Sequence, residues 1–128
     1  MRLRLLIVSV LLCCILVPAG HAAPPKTLVN VREECSSQVL ANDGVVLTTK
    51  LVMRNAGTGR AVTVRILAGW HVGGLYQKAR TELVVRLGPG RTARRTVTLR
   101  LASAPELAKS LRAKKRLVCA SAKTYTIQ

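Results

Sequence analysis

The segment VVLTTKLVMR, residues 45–54, decides the fold class of this chain. Its odd-numbered positions carry no charge, whereas Lys50 and Arg54 both fall on even-numbered positions. A period of two with charge on one side only is typical of a β-strand that buries one face and exposes the other. The segment NAGTGR that follows, residues 55–60, supplies the residues of a turn.

The same alternation recurs along the chain and predicts an all-β protein. Further strands are predicted at residues 61–67, 82–87 and 96–101, with an earlier one near 28–32 and a final one at about 117–127. One helix is predicted within residues 103–116, where Ser103 and Glu106 have the spacing of a capping box. This pattern favours an immunoglobulin-like antiparallel β-sandwich with one short helix near the C-terminus.

The N-terminus has the order of a secretory signal peptide. Arg2 and Arg4 precede an apolar run at residues 5–17, and small residues follow. We predict a cleavable signal peptide at residues 1–22 and a single domain at 23–128. The alternative is an uncleaved anchor, although the run falls short of the roughly 20 residues that span a bilayer. The mature chain is expected to contain no transmembrane span and to reside in the endoplasmic reticulum lumen, outside the cell or in a periplasm.

Two cysteines remain after this cleavage, because Cys13 and Cys14 lie within the signal peptide. Cys35 and Cys119 would enter an oxidising compartment, so they are predicted to form a disulfide. The alternative is a pair of free, buried thiols. No metal site or cofactor is expected, since the mature chain offers only His71 beside these two cysteines.

The charge of the mature chain points to an anionic partner. Nineteen Lys and Arg remain against five Asp and Glu, a formal +14. Such a domain is expected to bind polyanions such as lipid headgroups, cell-wall polymers or RNA, as well as acidic proteins. The predicted docking residues, which would form one surface if their strands share a sheet, are Lys50, Arg65, Arg86, Arg95 and Arg100. The alternative is that these side chains are merely solvated.

The segment GWHVGGLYQK, residues 69–78, is predicted to be a recognition loop. It concentrates Trp70, His71 and Tyr76 in a chain that has few aromatic residues. The alternative for Trp70 is that it plugs the open end of the sandwich. Aromatic residues are too few for sequence-specific reading of nucleic acid.

Catalysis is not expected from this sequence. Glu33 and Glu34 are adjacent, so in an extended segment they point to opposite faces and cannot flank a substrate. A small hydrolase built around His71 is the least favoured alternative, because a nucleophile, a base and an orienting group would have to converge there.

Three segments together resemble a family of secreted sandwich modules. They are LTTKLVMRNAGTGRAVTVRI, ELVVRLGPGRTARRTVTLRL and CASAKTYT. A strand ending in Asn-x-Gly and a Leu-x-Pro-Gly turn are similar to those of CARDB-type modules. They also resemble the luminal domain of the beta subunit of the translocon-associated protein complex. Membrane anchoring is not implied, because this sequence reaches Gln128 without the membrane span of that subunit.

These observations lead to one functional expectation. The chain is predicted to be a non-catalytic interaction module of the secretory pathway with a basic face for an anionic partner. The resemblance implies an accessory role in a membrane-protein complex at the translocon. The alternative is a secreted or periplasmic protein that binds polyanions or cell surfaces.

Overall fold

The computed structural model describes residues 29–57 and 59–128, and it is built mostly from β-strands. The predicted signal peptide, residues 1–22, lies outside the described residues. In chain order the strands are β1 (Val29–Val39), β2 (Val45–Asn55), β3 (Val62–Leu67), β4 (Gly69–Val72), β5 (Leu75–Lys78), β6 (Leu83–Leu87), β7 (Thr92–Leu101), β8 (Leu117–Cys119) and β9 (Ala122–Ile127). One α-helix, α1, spans Pro105–Arg112, and a short 3₁₀ turn spans Ala41–Asp43.

The strands form three antiparallel sheets of three strands each. The first sheet has the order β1-β2-β7, the second β6-β3-β9 and the third β5-β4-β8. The predicted all-β class with one short helix near the C-terminus is therefore confirmed. The immunoglobulin-like type of sandwich stays a prediction.

The second and third sheets are continuous with each other, because β3 leads into β4, β5 into β6 and β8 into β9. Only Ala68 separates β3 from β4, and the Ala79 N–H donates to the Ala68 carbonyl at 2.8 Å. On the other side, the Ala120 N–H donates to the Gly69 carbonyl at 2.8 Å. Because these bonds bridge the interruption, the two sheets form a single broken layer opposite the first sheet.

The hydrophobic core lies between the first sheet and this broken layer. One cluster joins Val45 and Leu47 of β2 to Trp70 of β4 and Leu107 of α1. A second cluster joins Leu51 and Met53 of β2 to the buried residues of β3 and β6. The odd-numbered positions of β2 thus face the interior, as their alternation predicts, and the even-numbered positions face outward.

The first strand is longer than predicted. Instead of residues 28–32 it covers Val29–Val39 and pairs with β2 along its whole length, from Val29 opposite Asn55 to Val39 opposite Val45. The segment EECSSQ inside it lacks apolar alternation, which is why the sequence did not reveal it. Its strand conformation depends on hydrogen bonds to β2 and not on local propensity.

The helix begins without the predicted capping box. Its N-cap is Ala104, no side chain caps it, and Pro105 occupies the first turn. Glu106 lies in the first turn, where a negative charge is favoured by the helix dipole. The helix docks on the sheets through one side, because Leu107 is buried and Leu111 packs against the same cluster.

The two cysteines meet between the layers. Cys35 of β1 and Cys119 of β8 lie at disulfide-bonding distance, with their Cα atoms 5.7 Å apart and a separation of 84 positions in sequence. The predicted final strand, residues 117–127, is divided at residues 120–121 into β8 and β9. Across the described residues, no helix has the length and apolar character needed to cross a membrane.

Candidate functional site

The candidate site lies on the outer face of the first sheet, and its centre is Val52. Residues directly opposite one another on neighbouring strands share a face of the sheet. Val52 of β2 is opposite Arg32 of β1 and also opposite Arg94 of β7. Lys50 and Arg54 lie two residues before and after Val52 on the same strand, so they project from the same face. We call Arg32, Lys50, Arg54 and Arg94 the basic cluster.

The strand spacing makes the basic cluster compact. Neighbouring strands lie about 4.8 Å apart, which separates the Cα atoms of Arg32 and Arg94 by about 10 Å. Lys50 and Arg54 are four residues apart, or about 13 Å along β2. Because all four side chains are long and exposed, their charged groups can converge above the half-buried Val52.

A groove of 790 Å³ lies over this part of the sheet. We call the strand positions whose side chains point away from the core the outward register, and those that point toward it the inward register. The residues of the outward register that line the groove are Arg32, Glu34, Lys50, Val52, Arg94 and Thr96. We call it the basic groove. The basic groove is open to solvent. It is lined by three members of the basic cluster, Arg32, Lys50 and Arg94, and by the hydroxyl group of Thr96.

Acidic side chains do little to neutralise the basic groove. Glu34 is opposite Lys50 and is the one carboxylate in the outward register of the described first sheet. Glu33, although it borders the groove, belongs to the inward register, and its Oε1 lies 2.9 Å from Lys123 Nζ of β9. The three ion pairs found among residues 29–57 and 59–128 use Arg65, Arg112 and Lys123, none of which lies in the basic cluster.

The five predicted docking residues are divided between the two layers. Lys50 and Arg100 share the outer face of the first sheet, and Lys50 lines the groove. Arg65 of β3 and Arg86 of β6 lie on the outer face of the second sheet. Their strands do not share a sheet with β2, so one continuous surface does not form from all five.

Two of the predicted docking residues are also engaged locally. Arg65 Nη1 lies 3.0 Å from Glu82 Oε1, so this cation is already paired. Arg95 is in the inward register of β7, opposite Leu51, and its Nη1 donates to the Arg94 carbonyl at 2.8 Å. Arg95 therefore borders the groove at the edge of β7, and its position is not one of those on the outer face of the sheet.

Sequence reasoning missed Arg32 and Arg94 as site residues. Strand β7 begins at Thr92 and not at residue 96, which places Arg94 within the sheet. Arg32 lay within the strand predicted near residues 28–32, but only the pairing of β1 with β2 places it opposite Val52. The period-two spacing of Thr92, Arg94 and Thr96 was the available signal, but the preceding Gly-Pro-Gly turn made the start of the strand ambiguous.

The predicted recognition loop is a β-hairpin. Strands β4 and β5 pair directly, and Gly73 and Gly74 form the turn between them. Gly73 has a φ of 58°, the left-handed conformation that glycine adopts at little cost and that tight hairpin turns require. Three glycines within six residues, at positions 69, 73 and 74, hid the strand character of this segment. The segment is stabilised by pairing of β4 with both β5 and β8.

Trp70 is fully buried and belongs to the core. It lies opposite Cys119 of β8 and packs in the cluster that contains Leu107 of the helix. Its position agrees with the alternative of a structural role and removes it from any contact surface.

His71 and Tyr76 are exposed on the outer face of the third sheet. They are direct neighbours across β4 and β5, and their ring centroids are 4.7 Å apart. The Tyr76 ring covers Gly69, where an added Cβ would lie 2.7 Å from the tyrosine hydroxyl. Both aromatic residues are therefore on the opposite side of the molecule from the basic groove.

The described residues contain no group of three or more His, Cys, Asp or Glu side chains arranged to hold a metal ion. Three of the five carboxylates, Glu33, Asp43 and Glu82, are engaged in ion pairs. The arrangement of the groove suits the binding of anions by arginine and lysine.

Comparison with known proteins adds no relatives. No protein-family model, curated protein or solved structure matches this chain.

Proposed function

We propose that this protein is a non-catalytic interaction module of the secretory pathway that binds an anionic partner in its basic groove. The observation that carries the proposal is the basic cluster, four cations around Val52 on one sheet face. Arginine offers several N–H donors in a planar fork that matches carboxylate, sulfate and phosphate groups, and lysine adds a mobile point charge.

Electrostatics support this choice of partner. Four like charges on one face of the sheet, three of them lining the groove, reinforce one another and attract a polyanion from a distance. The surrounding chain adds to the attraction, since the mature sequence has a formal charge of +14. Exposed charges are screened over about 8–10 Å at physiological ionic strength, so binding should weaken steeply as salt rises.

The compartment is part of the same proposal. The N-terminal pattern of a signal peptide and two cysteines at disulfide-bonding distance both suit an oxidising compartment. A module of this kind would act in the endoplasmic reticulum lumen, outside the cell or in a periplasm. An accessory role at the translocon, which the sequence resemblance implies, is one such setting, but the basic groove does not depend on it.

Charge reversal in the groove tests the proposal. The variant Arg32→Glu/Arg94→Glu should lose at least about tenfold in affinity for an anionic polymer or an anionic lipid vesicle, because two attractive contacts become repulsive. The matched control is Lys78→Glu/Arg86→Glu, which changes the net charge equally on the outer face of the other layer. The measurement is fluorescence titration at several salt concentrations, with thermal unfolding to verify the fold.

The two double variants distinguish binding at the groove from attraction by the net charge of the whole protein. Equal losses in the two double variants would show that binding follows net charge and that the groove has no special role. His71→Ala should leave binding unchanged, since His71 lies on the opposite side of the molecule. If that substitution alone abolished the biological activity of a folded protein, a catalytic role for His71 would replace the present proposal.

A further inference from the structure

We propose, on the basis of the function proposed above, that the ligand of the basic groove is a linear acidic polysaccharide lying along β2. The juxtaposition that points to this ligand is a cationic end of the sheet face followed by a stretch of hydroxyl and amide side chains. Both parts belong to the same outward register of β1, β2 and β7.

The outward face is organised in five rows that cross the three strands. Successive rows are two residues apart, or about 7 Å. The first three rows contain the basic cluster and Glu34, and the last contains Arg100 opposite Val46. The rows together extend for about 27 Å, the length of a chain segment and not of a single small anion.

The row between these charged regions is neutral and polar. Ser36, Thr48 and Thr98 lie side by side across the sheet in this row. Gln38 follows on β1 in the next row, beside Val46. Hydroxyl and amide groups both donate and accept hydrogen bonds, which suits the hydroxyl groups of a sugar chain. A polymer that alternates acidic groups with hydroxyl groups would satisfy both parts of the surface.

A lipid bilayer fits this face poorly. The groove is concave, and its floor is the half-buried Val52, which a flat surface of headgroups would not reach. Proteins that lie on membranes usually insert apolar side chains next to their basic residues. Among the described residues, the exposed apolar side chains Tyr76, Val84 and Val118 are instead on the outer face of the opposite layer. The other two, Leu40 and Ile127, lie in the loop after β1 and on β9, outside the strands of this face.

A single-stranded nucleic acid also fits poorly. Proteins that bind such strands combine a basic groove with aromatic side chains on which the bases stack. The outward register of the first sheet contains no aromatic residue between Asn30 and Gln38, Val46 and Arg54, or Thr92 and Arg100. Charge and hydrogen bonds remain as the means of recognition on this face.

The test uses heparin oligosaccharides of defined length as the sulfated linear polysaccharide. Affinity measured by calorimetry should rise with oligosaccharide length and level off once the roughly 27 Å face is covered. Arg32→Glu/Arg94→Glu should weaken binding by at least about tenfold, and Lys78→Glu/Arg86→Glu by less than about threefold.

A second pair of variants tests the polar row alone. Thr48→Val/Thr98→Val removes two hydroxyl groups and keeps the β-branched shape, so it should lower affinity severalfold without changing the salt dependence. The control is Thr124→Val on the outer face of β9, which should have no effect. Unchanged affinity in the double threonine variant would overturn a role for the polar row in sugar binding.

Two competing ligands complete the experiment. Phosphatidylglycerol vesicles and single-stranded RNA are titrated against the same variants. If either bound through the groove while heparin oligosaccharides did not, the polysaccharide proposal would be wrong and the anionic-partner function would stand. If no probe distinguished the groove variant from its control, both proposals would fail.

Discussion

Asn55 is a buried polar residue that holds two turns against the end of β2. Its side-chain Nδ2 donates to the Arg60 carbonyl at 2.7 Å and to the Leu87 carbonyl at 3.2 Å. Its backbone N–H donates to the Arg91 carbonyl, and its carbonyl accepts from the Gly90 N–H. The Asn-x-Gly and Leu-x-Pro-Gly motifs of the sequence are therefore parts of one hydrogen-bonded contact.

Replacing Asn55 should destabilise the fold. Asn55→Ala removes a donor from the buried Leu87 carbonyl and from the Arg60 carbonyl, and a buried polar group left without a partner costs about 1–3 kcal/mol. The free energy of unfolding, measured by denaturant titration, should fall by that amount. Asn30→Ala is the control, because Asn30 is exposed on β1. An equal effect of the two substitutions would contradict the structural role of Asn55.

At the scale of elements, β1 is held to the last two strands by different contacts: a charged pair joins it to β9, and the cysteines join it to β8. Glu33 of β1 and Lys123 of β9 are both in registers that face the interior, opposite Leu51 and Ile66 respectively. The Glu33 side chain is 11% exposed and that of Lys123 is 29% exposed, so the carboxylate is largely withdrawn from water and the lysine only partly. Such a pair adds little by itself but is costly to break from one side.

Lys123→Met should therefore destabilise the protein more than the loss of a surface ion pair. It leaves the Glu33 carboxylate largely buried without its cation, and we expect a loss of about 1–3 kcal/mol, between the values for exposed and buried pairs. The comparison is Arg112→Met, which breaks the exposed pair with Asp43 and should cost less than about 1 kcal/mol. Equal losses in thermal or denaturant unfolding would contradict the importance of burial.

At the scale of the whole molecule, the cysteines connect the beginning and the end of the described chain. Cys35 and Cys119 are 84 residues apart in sequence, so a bond between them closes a long loop. Restricting a loop of this length in the unfolded chain stabilises the folded state by about 4 kcal/mol in the chain-entropy model.

The disulfide is tested on protein made in a secretory pathway. Mass spectrometry of unreduced peptides should find Cys35 joined to Cys119, and Cys35→Ala/Cys119→Ala should lower the free energy of unfolding by about 4 kcal/mol. Two thiols open to alkylation in the folded protein would contradict the pairing. The single tryptophan, Trp70, lies opposite Cys119 and offers an optical probe for unfolding in both forms.

Local patterns in the sequence were sufficient for the strands that bury one face. Strands β2, β3 and β6 were each predicted to within one or two residues, because alternating side chains encode both the strand and the direction of its core face. Clustered acidic and small polar residues in β1, and the shortness of β4 and β5 on either side of Gly73 and Gly74, provide no such signal. Their strand conformation comes from pairing with partners distant in sequence.

The sequence by itself determined the strand-rich class, the choice of cysteines and the excess of positive charge. Only the tertiary structure decided which charges stand together, because strand order places Arg32, Lys50 and Arg94 across three strands of one sheet. It also placed Arg65 and Arg86 on the other layer and enclosed Trp70 in the core. The physical reason is that alternation along a strand specifies which side chains face outward, whereas pairing between distant strands specifies which outward side chains become neighbours.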